Sequence, residues 1–173
     1  MFRLSLLALI LLSLSSVSLP LLSQTYLKAN YLLIDHRVPA LGLSLGTRSA
    51  LGPYHALDLS WSLAAARPEK IGYYTSPRIA FLQYLPCQYL PCMGSSSPYV
   101  GAAINWSYLA DFKSYHWYSG LQGEVLLGIE LLREFLLSSF LETSLTYPLI
   151  QANDKLHCKA PPFTLSFSWG LAF

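Results

Sequence analysis

The final stretch, 163–173 (FTLSFSWGLAF), constrains this chain more than any other segment. Phe163, Leu165, Phe167, Trp169, Leu171 and Phe173 occupy its odd positions. Thr164, Ser166, Ser168, Gly170 and Ala172 occupy the even ones. An unbroken period of two specifies a β-strand with one large apolar face and one small, polar face. A soluble protein would cover those six large side chains with a second layer. A membrane barrel would turn them to lipid and keep the small face for its lumen.

Composition separates the two. Apolar residues make up 53% of the 173 positions and charged residues only 12%, about half the usual charged share. Yet no run after residue 23 is long and apolar enough for a spanning helix, so the apolar content must be organised as strands. Twelve Tyr and four Trp suit a surface that is oily in the middle and wet at its edges. A net charge of +2 with no basic stripe gives no reason to expect a nucleic-acid partner.

The first residues read as a targeting segment. Met1-Phe2-Arg3 is a short basic start, 4–14 is an apolar core, and Ser15, Ser16 and Ser18 are small residues suited to cleavage. The expected division is a signal peptide over 1–23, cut near residue 18 or 23, followed by one domain over 24–173.

Alternation then marks successive strands. In 26–34, Lys28 and Asn30 oppose Tyr31 and Leu33. In 38–48, Leu41, Leu43 and Leu45 oppose Gly42, Ser44, Gly46 and Arg48. In 54–65, Leu57, Leu59, Trp61 and Leu63 oppose Tyr54, Ala56, Asp58, Ser60 and Ser62. In 78–85, Ile79 and Phe81 oppose Arg78 and Ala80. In 99–109, Val100, Ala102, Ile104, Trp106 and Tyr108 oppose Gly101, Ala103, Asn105 and Ser107. In 115–130, Trp117, Leu121, Val125, Leu127 and Ile129 oppose Gly120, Gln122, Glu124, Gly128 and Glu130. In 134–147, Phe135, Leu137, Leu141, Leu145 and Tyr147 oppose Glu134, Ser138, Glu142, Ser144 and Thr146. The segment 124–145 is rich in Leu and Glu, which favour helix. Gly128 and the even numbering of every acid favour two strands instead.

With 163–173 this makes eight strands and predicts an all-β fold, an eight-stranded antiparallel up-and-down transmembrane barrel. The connections 35–37, 66–76, 110–114 and 149–162 then fall on the outer side. Those at 49–53, 86–98 and 131–133 fall on the inner side. Two fit poorly with long outer loops and short inner turns: 35–37 is short, and 86–98 is long. The latter contains the tandem repeat QYLPC-QYLPC (83–92), whose odd unit length and two prolines bar a central strand.

On these features the chain resembles the small outer-membrane β-barrel proteins of Gram-negative bacteria, of the OmpX and OmpA-barrel type. The export segment, the eight strands and the terminal Phe173 carry the resemblance. Leu165, Phe167, Trp169 and Leu171 precede that Phe at steps of two. The segments 99–105 and 140–150 also resemble small barrels of chlamydia-like bacteria. The resemblance implies a bacterial outer-membrane location, outer-membrane lipid as surroundings, and a barrel-assembly machinery that reads the C-terminal strand. Leu171 stands where an aromatic is common in the family.

Several constellations bear on chemistry. The inward acids Asp58, Glu124, Glu130, Glu134 and Glu142, with Lys28, Arg48 and Arg78, are expected to form an ion-pair network filling a narrow lumen, because buried charges need partners. His36, His55, His116 and His157 lack the spacing of metal ligands, and no cofactor is expected. A lipid-modifying barrel would need a Ser, a His and an acid on the outer wall. His116 and Ser119 fall on opposite faces, and the face of His55 has no Ser. Cys87 and Cys92 could close a small loop, leaving Cys158 free or paired to another molecule. The expected role is therefore structural or surface-exposed, in adhesion or envelope integrity and without catalysis. An extracellular partner would meet loops 66–76 and 149–162. Two alternatives stay open: a lipid-modifying barrel enzyme, and a secreted soluble barrel that binds an apolar ligand with its large residues inside.

Overall fold

The structure is a computed structural model that describes residues 23–35, 38–66, 72–86, 96–111, 116–133, 137–151, 158–159 and 162–173. The predicted signal segment up to residue 22, Glu134, His36, His157, Cys87 and Cys92 lie outside the described residues, as do the side chains of His116, Trp117 and Cys158.

Among the described residues nine strands follow one another: β1 (Ser23–Ile34), β2 (Val38–Ala50), β3 (His55–Ala66), β4 (Tyr73–Tyr84), β5 (Ser96–Asp111), β6 (His116–Leu131), β7 (Ser138–Gln151), β8 (Cys158–Lys159) and β9 (Thr164–Ala172). Each long strand pairs antiparallel with its neighbour in sequence, and β9 pairs with both β7 and β1. The sheet therefore closes on itself as eight strands. β8 is a two-residue addition, parallel to Trp117–Tyr118 of β6 at the outer end. The segment 124–145 is two antiparallel strands, not a helix.

Register fixes the barrel's shape. Gln122 leads across the ladders through Asn105, Arg78, Ser60, Gly46, Tyr26 and Ala172 to Ser138, whereas its direct partner on β7 is Pro148. The circuit returns ten residues away from where it began. With about 4.8 Å between strands and about 3.3 Å per residue, that stagger tilts the strands by about 40° from the barrel axis.

Strand ends differ from the expected ones most at the starts of β4 and β7. β4 begins at Tyr73 rather than at Arg78, so the outer connection from β3 is shorter than 66–76. Pro77 is tolerated in β4 because its ring points outward and the ladder to β5 skips Ser76 and Pro77, where a proline has no N–H to give. The inner connection after β6 runs on to Ser138, past its expected end at 133. On either side of the short 35–37 connection Ile34 pairs directly with Val38, and Asp35 takes a left-handed φ of 52°.

The outer wall is apolar. Trp61, Trp106 and Trp169 are 59%, 46% and 53% exposed, which removes the arrangement required by a soluble barrel with its large residues inside. Two of these indoles still satisfy their N–H groups. Trp61 Nε1 donates to Thr75 Oγ1 at 2.6 Å, and Trp106 Nε1 donates to Ser119 Oγ at 3.0 Å. Both acceptors sit on an adjacent strand, so neither N–H needs water.

The interior is layered. Leu32, Ile34, Ala40, Ala64, Tyr74 and Leu109 form an apolar layer at the outer end. Tyr26, Phe140 and Ala172 pack at the inner end, beside a second group that includes Leu82, Tyr84, Tyr99 and Leu126. Three rings of the inner layer lie flat against glycines directly across the ladder: Tyr26 on Gly46, Tyr99 on Gly128 and Phe140 on Gly170. A Cβ at any of these glycines would run into the ring. Phe140 cannot retreat, because Tyr26 meets it edge-on at 5.2 Å and the Arg48 guanidinium covers it at 4.6 Å. Gly170→Ala is therefore expected to cost about 1–3 kcal/mol, the usual range for overpacking. Gly52→Ala, in a turn with open space around it, should stay within about 0.5 kcal/mol of the parent. Urea titrations of the two variants in the same detergent check this, and equal midpoints would remove the ring–glycine contact as a stabilising feature.

Candidate functional site: a sealed charge cluster in the lumen

Between the two apolar layers lie seven charged side chains, all buried: Lys28, Arg48, Asp58, Arg78, Glu124, Glu130 and Glu142. Alternation explains why they converge. Each occupies an even position on a strand whose even positions point inward, and the tilt brings different strands to one height.

Two arginines act as hubs. The Arg78 guanidinium meets Asp58 at 3.0 Å, Glu124 at 3.1 Å and Glu142 at 3.0 Å, and its Nε donates to Ser60 at 3.1 Å. Arg48 meets Asp58 at 3.1 Å, Glu130 at 3.2 Å and Glu142 at 3.8 Å. Lys28 Nζ closes on Glu142 at 2.8 Å. Asp58 is shared by both arginines, and Glu142 by all three cations.

Hydroxyls and amides complete the carboxylates. Tyr26 donates to Asp58 at 2.7 Å, Tyr99 to Glu142 at 3.1 Å, Ser138 to Glu130 at 3.0 Å and Asn105 to Glu124 at 3.1 Å. Tyr84 donates a short bond to Glu130. Four acids face three bases inside the lumen. The fourth positive charge is Arg133, stacked on the Tyr84 ring at 3.5 Å and donating to the Pro53 carbonyl at 3.2 Å. It lies over the inner mouth and reaches the cluster through the Tyr84–Glu130 bond.

The tyrosines are the members that sequence reading missed. Tyr99 has the parity of inward Gly101 and Ala103, and Tyr26 that of inward Lys28, so position in the alternation was the available signal. Polarity alone hides them, because a tyrosine suits either face. Toward the outer layer the cluster borders a polar cavity of about 30 Å³, lined in part by Ser76, Asn105, Glu124 and Thr164, room for about one water molecule. Among the described residues, the buried oxygens without a protein partner are Ser76 Oγ, Asn105 Oδ1, Ser107 Oγ and Gln122 Oε1, all on β4–β6.

The other expected sites are placed as follows. Leu165, Phe167, Trp169 and Leu171 lie on the outward side of β9, and Phe173 follows it, exposed. Phe173 exchanges both backbone hydrogen bonds with Thr25 at 3.0 and 2.8 Å, which zips the C-terminus to β1. His55 is outward and stacks on Phe81 at 5.6 Å. Cys158 has its backbone at the outer end. Among the described residues no group of His, Cys, Asp and Glu is arranged to hold a metal ion.

These features define a class: a closed eight-stranded antiparallel barrel with an apolar outer wall and a salt-bridged, sealed lumen. Comparison with solved structures finds the same architecture in Neisserial surface protein A, with a TM-score of 0.64 at 9% identity, over 87% of this chain and 94% of that one. Two more distant likenesses are a de novo designed transmembrane β-barrel (TM-score 0.49, 10% identity, 87% and 93% covered) and Ail, the attachment invasion locus protein of Yersinia pestis (0.45, 9%, 87% and 94%). At such identities the likeness is one of fold. No protein-family model matches the sequence, and no curated protein matches it.

Proposed function

We propose that this chain is an integral outer-membrane barrel whose role is structural and surface-presenting rather than catalytic. The observation that carries the reading is the inversion of the usual protein surface. Large apolar side chains face outward all round the wall, while every described Asp and Glu within the barrel strands that has a described side chain is buried in the lumen. Lipid is the surrounding that makes this arrangement stable, and a closed sheet is the form that leaves no backbone edge exposed to it.

The lumen supports a wall rather than a pore. An apolar layer closes its outer end, the ion cluster fills its middle and aromatic rings fill its inner end. Recognition is then left to the outer connections, 67–72 and 152–162 above all, which would meet an extracellular partner. The C-terminal strand with Leu165, Phe167, Trp169, Leu171 and Phe173 would be the segment read by the assembly machinery.

The test is gel mobility of the outer-membrane fraction in SDS, boiled against unboiled. The expected result is a heat-dependent shift together with no conductance in a planar bilayer. Recovery in a soluble fraction with no shift would overturn the membrane reading, and steady conductance would overturn the sealed lumen.

A further inference from the structure

We infer that Arg133 is a bolt across the inner mouth of the barrel, and that its engagement decides whether water reaches the ion cluster from that side. The inference rests on the sealed-lumen reading above and names the residue that makes the inner seal.

Strand order shows what the bolt joins. Arg133 follows β6 on the connection to β7, and Pro53 lies between β2 and β3. In a sheet that closes from β9 onto β1, those two connections are four strands apart, half-way round the barrel. Eight strands about 4.8 Å apart and tilted by about 40° make a ring about 16 Å across. Yet the Arg133 guanidinium donates to the Pro53 carbonyl at 3.2 Å. The contact therefore runs across the opening, not along its edge.

On the way it covers Tyr84, lying 3.5 Å from the ring centroid. The Tyr84 hydroxyl donates to Glu130 and accepts from Arg48 at 3.5 Å. Glu130 and the Ser138 that donates to it are each 1% exposed. From the mouth inward the order is thus Arg133, Tyr84, Glu130, Arg48.

The backbone is bent to serve this contact. Leu132 takes a φ of 60°, a left-handed conformation that costs a non-glycine residue free energy and persists only where other contacts hold it. Leu132 itself is 46% exposed, so burial of its own side chain does not compensate. What the bend secures is the inward course of Arg133, the fourth cation beside a lumen of four acids and three bases. The two ends of the lumen are therefore closed by different means. Leu32, Ile34, Leu109 and their neighbours seal the outer end, and apolar side chains gain nothing from opening to water. A guanidinium stacked at a wet mouth can swing out and be hydrated, so the inner seal is the reversible one.

The experiment uses the full chain with Cys87, Cys92 and Cys158 replaced by Ser, folded in detergent micelles so that both mouths meet water. Three reporters are introduced singly: Ser138→Cys beneath the stack, Ala64→Cys in the outer layer and Leu51→Cys on an exposed inner turn. Each is treated with a quaternary-ammonium methanethiosulfonate, with and without Arg133→Ala, and the modification rate is read on the unboiled, fast-migrating band.

With Arg133 in place, positions 138 and 64 should react about 100-fold more slowly than 51, as expected of sites reached only by opening. Arg133→Ala should raise the rate at 138 by about tenfold and leave 64 unchanged. Arg133→Lys, which has no flat group to lay on the ring, should fall between. An unchanged rate at 138 in Arg133→Ala would overturn the bolt and leave the sealed lumen standing. So would a fast rate at 138 alone in the parent, where the mouth would be open with the bolt engaged. Fast rates at both 138 and 64 in the parent would overturn the sealed lumen as well. A rise at both positions in Arg133→Ala would mean general loosening and would also overturn the bolt. If Arg133→Ala gives no folded band, Arg133→Gln is read in its place. Failure of both to fold would make Arg133 a requirement of the fold instead of a bolt, and would overturn the inference.

Discussion

Replacing Arg78 by Met is expected to lower barrel stability by about 3–5 kcal/mol, the range for leaving buried charge without its partner. Met keeps most of the length of the stem and removes the guanidinium. Asp58, Glu124 and Glu142 then lose contacts of 3.0–3.1 Å, and among the described residues Glu124 is left with no ion pair. Three carboxylates would share Lys28 and Arg48 in a lumen sealed at both ends, where water cannot replace the missing cation. Two neighbouring changes make the result specific. Arg78→Lys keeps the charge but cannot place three forked contacts, so it should fall between Met and the parent. Adding Glu124→Gln to Arg78→Met removes one orphaned charge and should recover part of the loss. The measurement is the urea dependence of the folded, fast-migrating gel band in detergent. A loss below about 1 kcal/mol for Arg78→Met would mean that the cluster is solvated and screened like a surface pair, and the sealed-lumen account would fail.

The cluster's framework is legible in the sequence because it uses alternation. Asp58 and Arg48 are inward in strands whose opposite face is Leu41, Leu43, Leu59 and Trp61, so parity and polarity agree. The same agreement makes β9 and the separation of β6 from β7 readable despite the helix-favouring Leu and Glu content. Polarity stops informing where both faces are apolar. Leu32, Ile34, Leu82, Leu126 and Phe140 point inward, yet nothing in their chemistry separates them from the lipid-facing leucines beside them. These residues form the two layers that close the lumen, so the sealing was hidden even though the ion-pairing residues were not. Strand ends were hidden for a different reason. Pro77 reads as a strand breaker, and only the register shows that its position in β4 demands no hydrogen bond to β5.

The second large effect concerns the outer wall. Leu43→Arg is expected to cost about 2–4 kcal/mol in a lipid bilayer, the value for a basic side chain near the middle of a barrel's lipid face. Leu43 lies midway along β2, is 57% exposed and pairs across the ladders with Ala29 and Leu63. It touches no part of the lumen cluster, so no ion pair or buried contact is disturbed. In a soluble protein the same change at so exposed a leucine would fall within about 0.5 kcal/mol and would improve solubility. The sign and size of this single number therefore separate the two surroundings that the alternating strands allow. Leu51→Arg at the inner rim supplies a depth comparison, with an expected cost of about 0–1 kcal/mol, the value near the interface. Urea titrations after refolding into phosphatidylcholine vesicles measure all three proteins under one condition. A neutral Leu43→Arg in those vesicles would remove lipid as the partner of the outer wall. A cost confined to position 43 and small at 51 follows only if the apolar wall is a solvent-matched surface with depth, which no layer of covering protein would reproduce.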